Sequence, residues 1–213
     1  MRLVCGIGVS DAAYRVAIRE TVGRVDGKQI QKLIWECPIY RRWVDLIRRV
    51  HTDRNKFYND CYISTNWLVF SNFHSWAKPR FRDGLCLDKD ILVRGNKIYS
   101  EDTCAFVPLY VNNCILYPRN KKRGLPLGVH TRQGRNKLRA VITEDGKSIH
   151  LGNFSDPLEA HLAWQLAKIS KLESVLEKYK SDESYIEAVG SALSCRINSL
   201  KESNISGIEV CSI

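Results

Sequence analysis

One stretch constrains the fold more than any other. Lys137-Leu-Arg-Ala-Val-Ile-Thr143 puts Leu138, Ala140 and Ile142 on one face and Lys137, Arg139, Val141 and Thr143 on the other. That is the two-residue period of a half-buried strand. Glu144-Asp145-Gly146-Lys147 then supplies an Asp-Gly step, a strong hairpin signal. Ser148–Leu151 resumes the alternation, with Ile149 and Leu151 inward and Ser148 and His150 outward. Asp156 is a helix N-cap, Pro157 fits the first helical position and Glu159 follows three residues after the cap. The helix should continue through Ala160, Ala163, Trp164, Ala167 and Lys168. Two strands, a tight turn and a helix bury their apolar faces together as a small sheet packed on one helix, which leaves the other sheet face uncovered. That face carries Arg132, Arg139, Thr143 and His150. A basic, polar face of two or three strands is a shape that the major groove of DNA accepts.

The charge distribution points the same way. The 213 residues carry a formal net charge of +10. Residues 117–150 hold nine basic and two acidic side chains, a net of +7, whereas 1–116 carry +6 and 151–213 carry −3. An excess of this size favours polyanionic partners, nucleic acid foremost. A solvated basic loop is the plainer reading of the same run, and charge alone leaves RNA open beside DNA.

Elsewhere the sequence is less specific. No window offers the roughly 20 apolar residues of a membrane-spanning helix, and Met1–Ser10 lacks the long apolar core of a secretory signal. The expected setting is therefore intracellular and away from membranes. The eight cysteines form no C-x-x-C pair; they read as small buried hydrophobes, with a structural zinc site assembled from distant cysteines as the alternative. Pro38–Val50 has an apolar helical face at Ile39, Trp43, Leu46, Ile47 and Val50, opposite Arg41, Arg42, Arg48 and Arg49; the arginines either face solvent or lie against phosphates. Trp67, Phe70, Phe73 and Trp76 recur at i, i+3 as a helix face turned to a core, with His74 on the surface. Gly84–Ile91 and Lys97–Tyr99 read as two short strands around a turn at Arg94-Gly95-Asn96, and Ser100–Thr103 as a cap for a helix after it. Tyr117–Gly124 reads as a charged linker. After Lys168 the helical pattern runs on to Tyr179, and Ser181-Asp182 can cap a second helix holding Ile186, Val189, Leu193 and Ile197. The pair either covers a core or dimerises.

Gly128-Val129, Lys137, Arg139–Ile142, Gly146-Lys147, Leu151-Gly152-Asn-Phe154, Leu158-Glu159-Ala160 and Ala163 resemble the Apetala-type (ethylene-response-factor) DNA-binding domain over about Leu125–Lys168. The resemblance implies a three-stranded sheet docked in the major groove. By position, His130, Arg132, Arg139, Val141, Thr143, Ser148 and His150 would face DNA, and Arg135 and Lys137 belong to the same basic set. The plant domains carry arginine and tryptophan where this chain has His130, Ser148 and His150.

Leu87–Asn112 resembles a divergent HNH endonuclease core, a two-stranded hairpin and a helix around one divalent metal. Asp88 matches the acidic residue of the Asp-His pair, Asn96 the turn asparagine, and Asn112 the metal-side residue of the helix. The layout over Gly6–Lys168 is similar to bacteriophage HNH proteins of the homing-endonuclease kind. It implies double-stranded DNA as partner, Mg²⁺ or Mn²⁺ held by Asp88 and Asn112, and the cytoplasm of an infected bacterial host. The departure is Lys89, which stands where the family has its catalytic histidine. A lysine donates to phosphate readily but is a poor base near neutral pH. Two functions follow. One is a metal-dependent endonuclease or nickase using Asp88, Lys89, Asn96 and Asn112. The other is an inactive HNH-like scaffold that binds DNA or a partner.

The expected fold is α+β. An N-terminal region, 1–116, holds the HNH-like core at about 66–116. A linker at 117–124 leads to the sheet-and-helix domain at 125–168 and a helical extension at 169–213, through which the chain could form a homodimer.

Overall fold

The computed structural model describes residues 2–52, 58, 60–115, 124–131, 137–144 and 146–211. It is α+β, built from small sheets and five α-helices among the described residues. Two compact units divide between Phe106 and Val107. The linker expected at 117–124 lies outside the described residues except for Gly124. Among the described residues no helix is long and apolar enough to cross a membrane.

The first unit begins with β1 (Arg2–Val4) paired antiparallel to β2 (Gly8–Ser10), then a long hairpin of β3 (Ala17–Val25) and β4 (Lys28–Glu36). Helix α1 (Pro38–His51) opens on Pro38, whose fixed φ suits a first turn, and buries Tyr40, Trp43, Val44, Leu46 and Ile47. A 3₁₀ turn (Thr65–Leu68) and α2 (Phe70–Ala77) follow. The aromatic spacing therefore spans two elements. Trp67 sits on the 3₁₀ turn, Phe70, Phe73 and Trp76 on α2, and the first three are essentially fully buried. The Trp43 indole N–H donates to the Trp67 carbonyl at 2.7 Å, tying α1 to this turn. His74 is half-buried, with its ring against Tyr14 and Phe70 rather than out on the surface.

The two short strands expected around Arg94–Asn96 exist, but they do not pair with each other. β6 (Leu85–Asp88) pairs with β8 (Ala105–Pro108), while β7 (Ile98–Tyr99) runs parallel to β5 (Tyr62–Ile63). The segment after Ser100–Thr103 is also a strand rather than a helix. Ser100 and Thr103 close a turn with their own hydroxyls at 2.9 Å, and the four β8 residues are all buried, which favours the extended form of this apolar run.

In the second unit, α3 (Leu109–Cys114) starts after Pro108. β9 (Val129–Thr131), β10 (Leu138–Glu144) and β11 (Lys147–Phe154) form an antiparallel sheet in the order β11-β10-β9. The alternation predicts it: Ala140 and Ile142 are buried, and Arg139 and Thr143 are exposed. A bulge opposite Ala140 and Val141 leaves Leu151 unpaired, so the period-2 reading of β11 slips there. Ile149 pairs with Ile142 on the helix side yet stays 40% exposed. Helix α4 (Pro157–Lys180) starts as its cap predicts, the Asp156 carboxylate accepting the Glu159 N–H at 2.9 Å. It packs on both the sheet and α5 (Glu187–Ile205), burying Ala160, Trp164, Leu172 and Leu176, and Asn204 of α5 donates to the Leu162 carbonyl at 2.9 Å. Ser181-Asp182 does not cap α5. Asp182 instead accepts the backbone N–H and hydroxyl of Ser184 at 2.9 and 2.6 Å inside the connection, and α5 begins five residues later. Gly128 (φ +76°) lies so close to Trp164 that a Cβ there would be 2.0 Å from the indole, so only glycine fits at the entry to β9.

Candidate nucleic-acid interface

The sheet face away from α4 is built by register. His130 pairs with Arg139, Val141 with His150, and Thr143 with Ser148, so these six side chains share one face. β9 covers β10 only from Leu138 to Ala140, apart from the Val141 N–H, which donates to the Gly128 carbonyl at 2.9 Å. A groove of about 970 Å³ lies against the rest of β10. All six of those residues line it, together with Tyr110 and Asn113 from α3 and Lys168 and Lys171 from α4, and none of the described residues lining it is acidic. Lys171 donates to the edge carbonyl of Thr143 at 2.6 Å, and Lys168 to the Cys114 carbonyl at 2.6 Å. Burial lowers the Lys168 ammonium to about 8, because the charged form loses water that one carbonyl cannot replace. Lys137 is exposed just before β10, and Arg132 and Arg135 lie outside the described residues. Sequence reasoning missed Tyr110, Lys168 and Lys171. The helix of Tyr110 read as part of the HNH-like core and that of the two lysines as cover for the sheet, and no local pattern says that a helix wall stands beside a sheet edge.

The HNH-like positions are separated by the division of the chain. Asp88, Lys89 and Asn96 belong to the first unit, and Asn112 to α3 of the second. The three in the first unit build one loop. The Asp88 carboxylate accepts the N–H groups of Asp90 and Ile91 at 2.8 and 2.6 Å through one oxygen. Burial nevertheless raises its pKa, with the neighbouring Asp90 adding to the rise. Lys89 is 7% exposed and donates to the Asp90 carboxylate at 2.7 Å and to the Asn96 carbonyl at 2.8 Å, with Tyr99 beneath at 5.9 Å. The Asn96 amide donates to the carbonyls of Lys89 and Ile98 and accepts the Ile98 N–H. Asp88, Lys89 and Asn96, three of the four residues that the nuclease reading assigns to chemistry, are here closing a turn. The Lys89 ammonium occupies the Asp90 carboxylate and the Asn96 carbonyl, whereas one carboxylate oxygen of Asp88, an expected metal residue, is taken by backbone N–H groups. Among the described residues no cluster of three or more His, Cys, Asp or Glu side chains is placed to hold a metal. The eight cysteines are free thiols, four of them buried.

On α1, Arg49 is taken out of the supposed basic face. It donates to the Tyr99 hydroxyl and lies over the Tyr58 ring at 5.4 Å, which leaves Arg41 and Arg48 exposed and Arg42 half-buried.

No family model matches the chain, and no solved structure matches it. Its curated relatives include the deoxycytidine kinases of Mus musculus and Bos taurus, each 29% identical over 85 residues. The match covers 38% of this chain and 29% of each kinase, so the chain spans less than a third of the length of these relatives. P-loop kinases cradle phosphates on G-x-x-x-x-G-K-[ST] between a strand and a helix. The 213 residues contain no such string. Gly146-Lys147-Ser148 has its last three letters, but Val141 stands where the first glycine would be, and the three residues join antiparallel strands.

Proposed function

We propose that this chain is a duplex-DNA-binding protein that grips DNA through the outer face of its β9–β10–β11 sheet, on an HNH-like frame that does not cut. The observation that carries the reading is the pairing of His130 with Arg139, Val141 with His150 and Thr143 with Ser148 on one exposed face beside a groove free of carboxylates among its described residues. Guanidinium, imidazole and hydroxyl groups are donors suited to phosphates and base edges, and a three-stranded face enters the major groove. Two features support binding without cleavage. Lys89 is buried and engaged at both the Asp90 carboxylate and the Asn96 carbonyl, and it stands where the resembled family has the histidine that takes a proton from water.

The test is fluorescence anisotropy of the full chain on labelled duplex at fixed salt, beside a supercoiled-plasmid assay with Mg²⁺, Mn²⁺ or chelator. Arg139→Ala should weaken duplex affinity about tenfold, the worth of one good side-chain contact to a base edge. Affinity should also fall steeply with added salt as phosphate counterions are released. Unchanged affinity in Arg139→Ala refutes the sheet as the binding face. Metal-dependent nicking that disappears in Asp88→Ala refutes the inactive frame.

A further inference from the structure

Among the described residues the β3–β4 hairpin belongs to no larger sheet. Its strands are nine residues each, and all eight residues from Lys28 to Trp35 are exposed. Asp26 and Gly27 join the strands with φ of 49° and 75°, a tight turn whose Asp-Gly step was a signal available in the sequence. A lone two-stranded hairpin is marginal in water unless something lies against it.

Register sorts its side chains into two unlike faces. The pairs Arg19↔Leu33, Thr21↔Gln31 and Arg24↔Gln29 lie on one face, and the Thr21 hydroxyl donates to Gln29 Oε1 at 3.4 Å on that face. The opposite face pairs Ile18 with Trp35 and Glu20 with Lys32, and carries Ile30 and Val25. Val22 and Ile34 are left out of the ladder by two register shifts, which increase the twist of a ribbon. The first face thus holds two guanidiniums, two amides and a hydroxyl, with Leu33 beside them and the Ala17–Glu36 pair at its base, where Arg19, Leu33 and Glu36 line a groove with Arg41, Asp45 and Arg48 of α1. Among the described residues Arg19, Arg24, Lys28 and Lys32 form no ion pair.

Arginine to guanine, glutamine to adenine and threonine to the thymine methyl are the contacts by which side chains read major-groove edges. A nine-residue ribbon is about 30 Å long, close to one turn of duplex, and a two-stranded ribbon fits a groove about 12 Å wide. Residues 15–36 carry five cations against three carboxylates. A second copy of the chain is the poorer occupant. A two-fold interface on this face would set Arg19 and Arg24 against the same guanidiniums of the other copy.

We infer that the β3–β4 ribbon is a second DNA-reading arm, which lays its Arg19/Arg24/Gln29/Gln31 face in the major groove of a duplex. It stands on a different unit from the sheet proposed above and goes beyond that reading.

The test compares three full-length chains, wild type, Arg19→Ala/Arg24→Ala and Arg139→Ala, on duplex enriched by selection with the wild type. The readouts are anisotropy, dimethyl-sulfate protection of guanine N7 (a major-groove atom) and mass by light scattering. The double variant should bind about tenfold or more weakly and lose protection at guanines that Arg139→Ala still protects. If only Arg139→Ala weakens binding, the ribbon inference is overturned and the sheet reading stands. If only the double variant does, the ribbon stands and the sheet reading falls. A double variant that halves the mass while keeping its affinity makes the ribbon a surface for a second copy and overturns the inference. A wild type that enriches no duplex overturns it too.

Discussion

Lys89→Met is the sharpest perturbation, because it separates a structural lysine from a catalytic one. Methionine keeps an unbranched stem of nearly the same length and removes only the ammonium. Two hydrogen bonds go with it, 2.7 Å to the Asp90 carboxylate and 2.8 Å to the Asn96 carbonyl. Bonds to charged groups are worth about 1.5–3 kcal/mol each. The Asp90 side chain is 41% exposed, so water recovers part of the loss, and the net destabilisation should be about 2–3 kcal/mol. For a unit of about 100 residues that lowers Tm by roughly 10 °C. The assay is thermal unfolding followed by tryptophan fluorescence, with Trp43 and Trp67 reporting from the core of the first unit. Hydrogen exchange should also lose protection at the Asp90 and Ile91 amides, which Asp88 now holds. A Tm within about 2 °C of wild type, together with loss of a metal-dependent nicking activity that the wild type shows, would refute the reasoning and return Lys89 to catalysis.

Three further outcomes follow from the second unit. Gly128→Ala forces a Cβ into the Trp164 indole at a positive φ, so it should destabilise this unit by about 3 kcal/mol or more, read as a lower denaturation midpoint by circular dichroism. Asp156→Ala removes the acceptor for the Glu159 N–H and should lower stability by about 1 kcal/mol, with Asp156→Asn recovering most of it in the same denaturation experiment. Lys168 holds its proton less tightly folded (about 8) than in its ordinary state (10.5), so between those values the unfolded chain binds more protons. Stability of the unit should therefore rise with pH from about 8 toward 10.5. Lys168→Met should flatten that rise, and the difference between the two urea-midpoint curves cancels the tyrosines that titrate above it; parallel curves would refute the shift.

What the sequence determined by itself is what depends on neighbours within a few residues. The alternation at Leu138–Glu144, the Asp-Gly turn and the cap at Asp156 each satisfy their own hydrogen bonds or sort their own faces. A sheet packed on a helix followed from them, and with it the shared face of Arg139, Thr143 and His150. The same local logic located α1 and the aromatic core around Trp67, Phe70 and Phe73. Only the tertiary structure decided the partners. Two short strands flanking a turn have no local reason to prefer each other, so β6 took β8, whose apolar run is buried, and β7 took β5. Lys89 read as a displaced catalytic base because its identity was visible and its surroundings were not. Its fate rests on Asp90 and on a carbonyl seven residues away, which the loop closes around it. The groove walls from α3 and α4 came from elsewhere along the chain, Lys171 lying 28 residues from the Thr143 carbonyl that it bonds, and the exposure of the β3–β4 ribbon is set by what does not pack on it. Periodicity reports which way a side chain points along its own element; what waits there is decided by the rest of the fold.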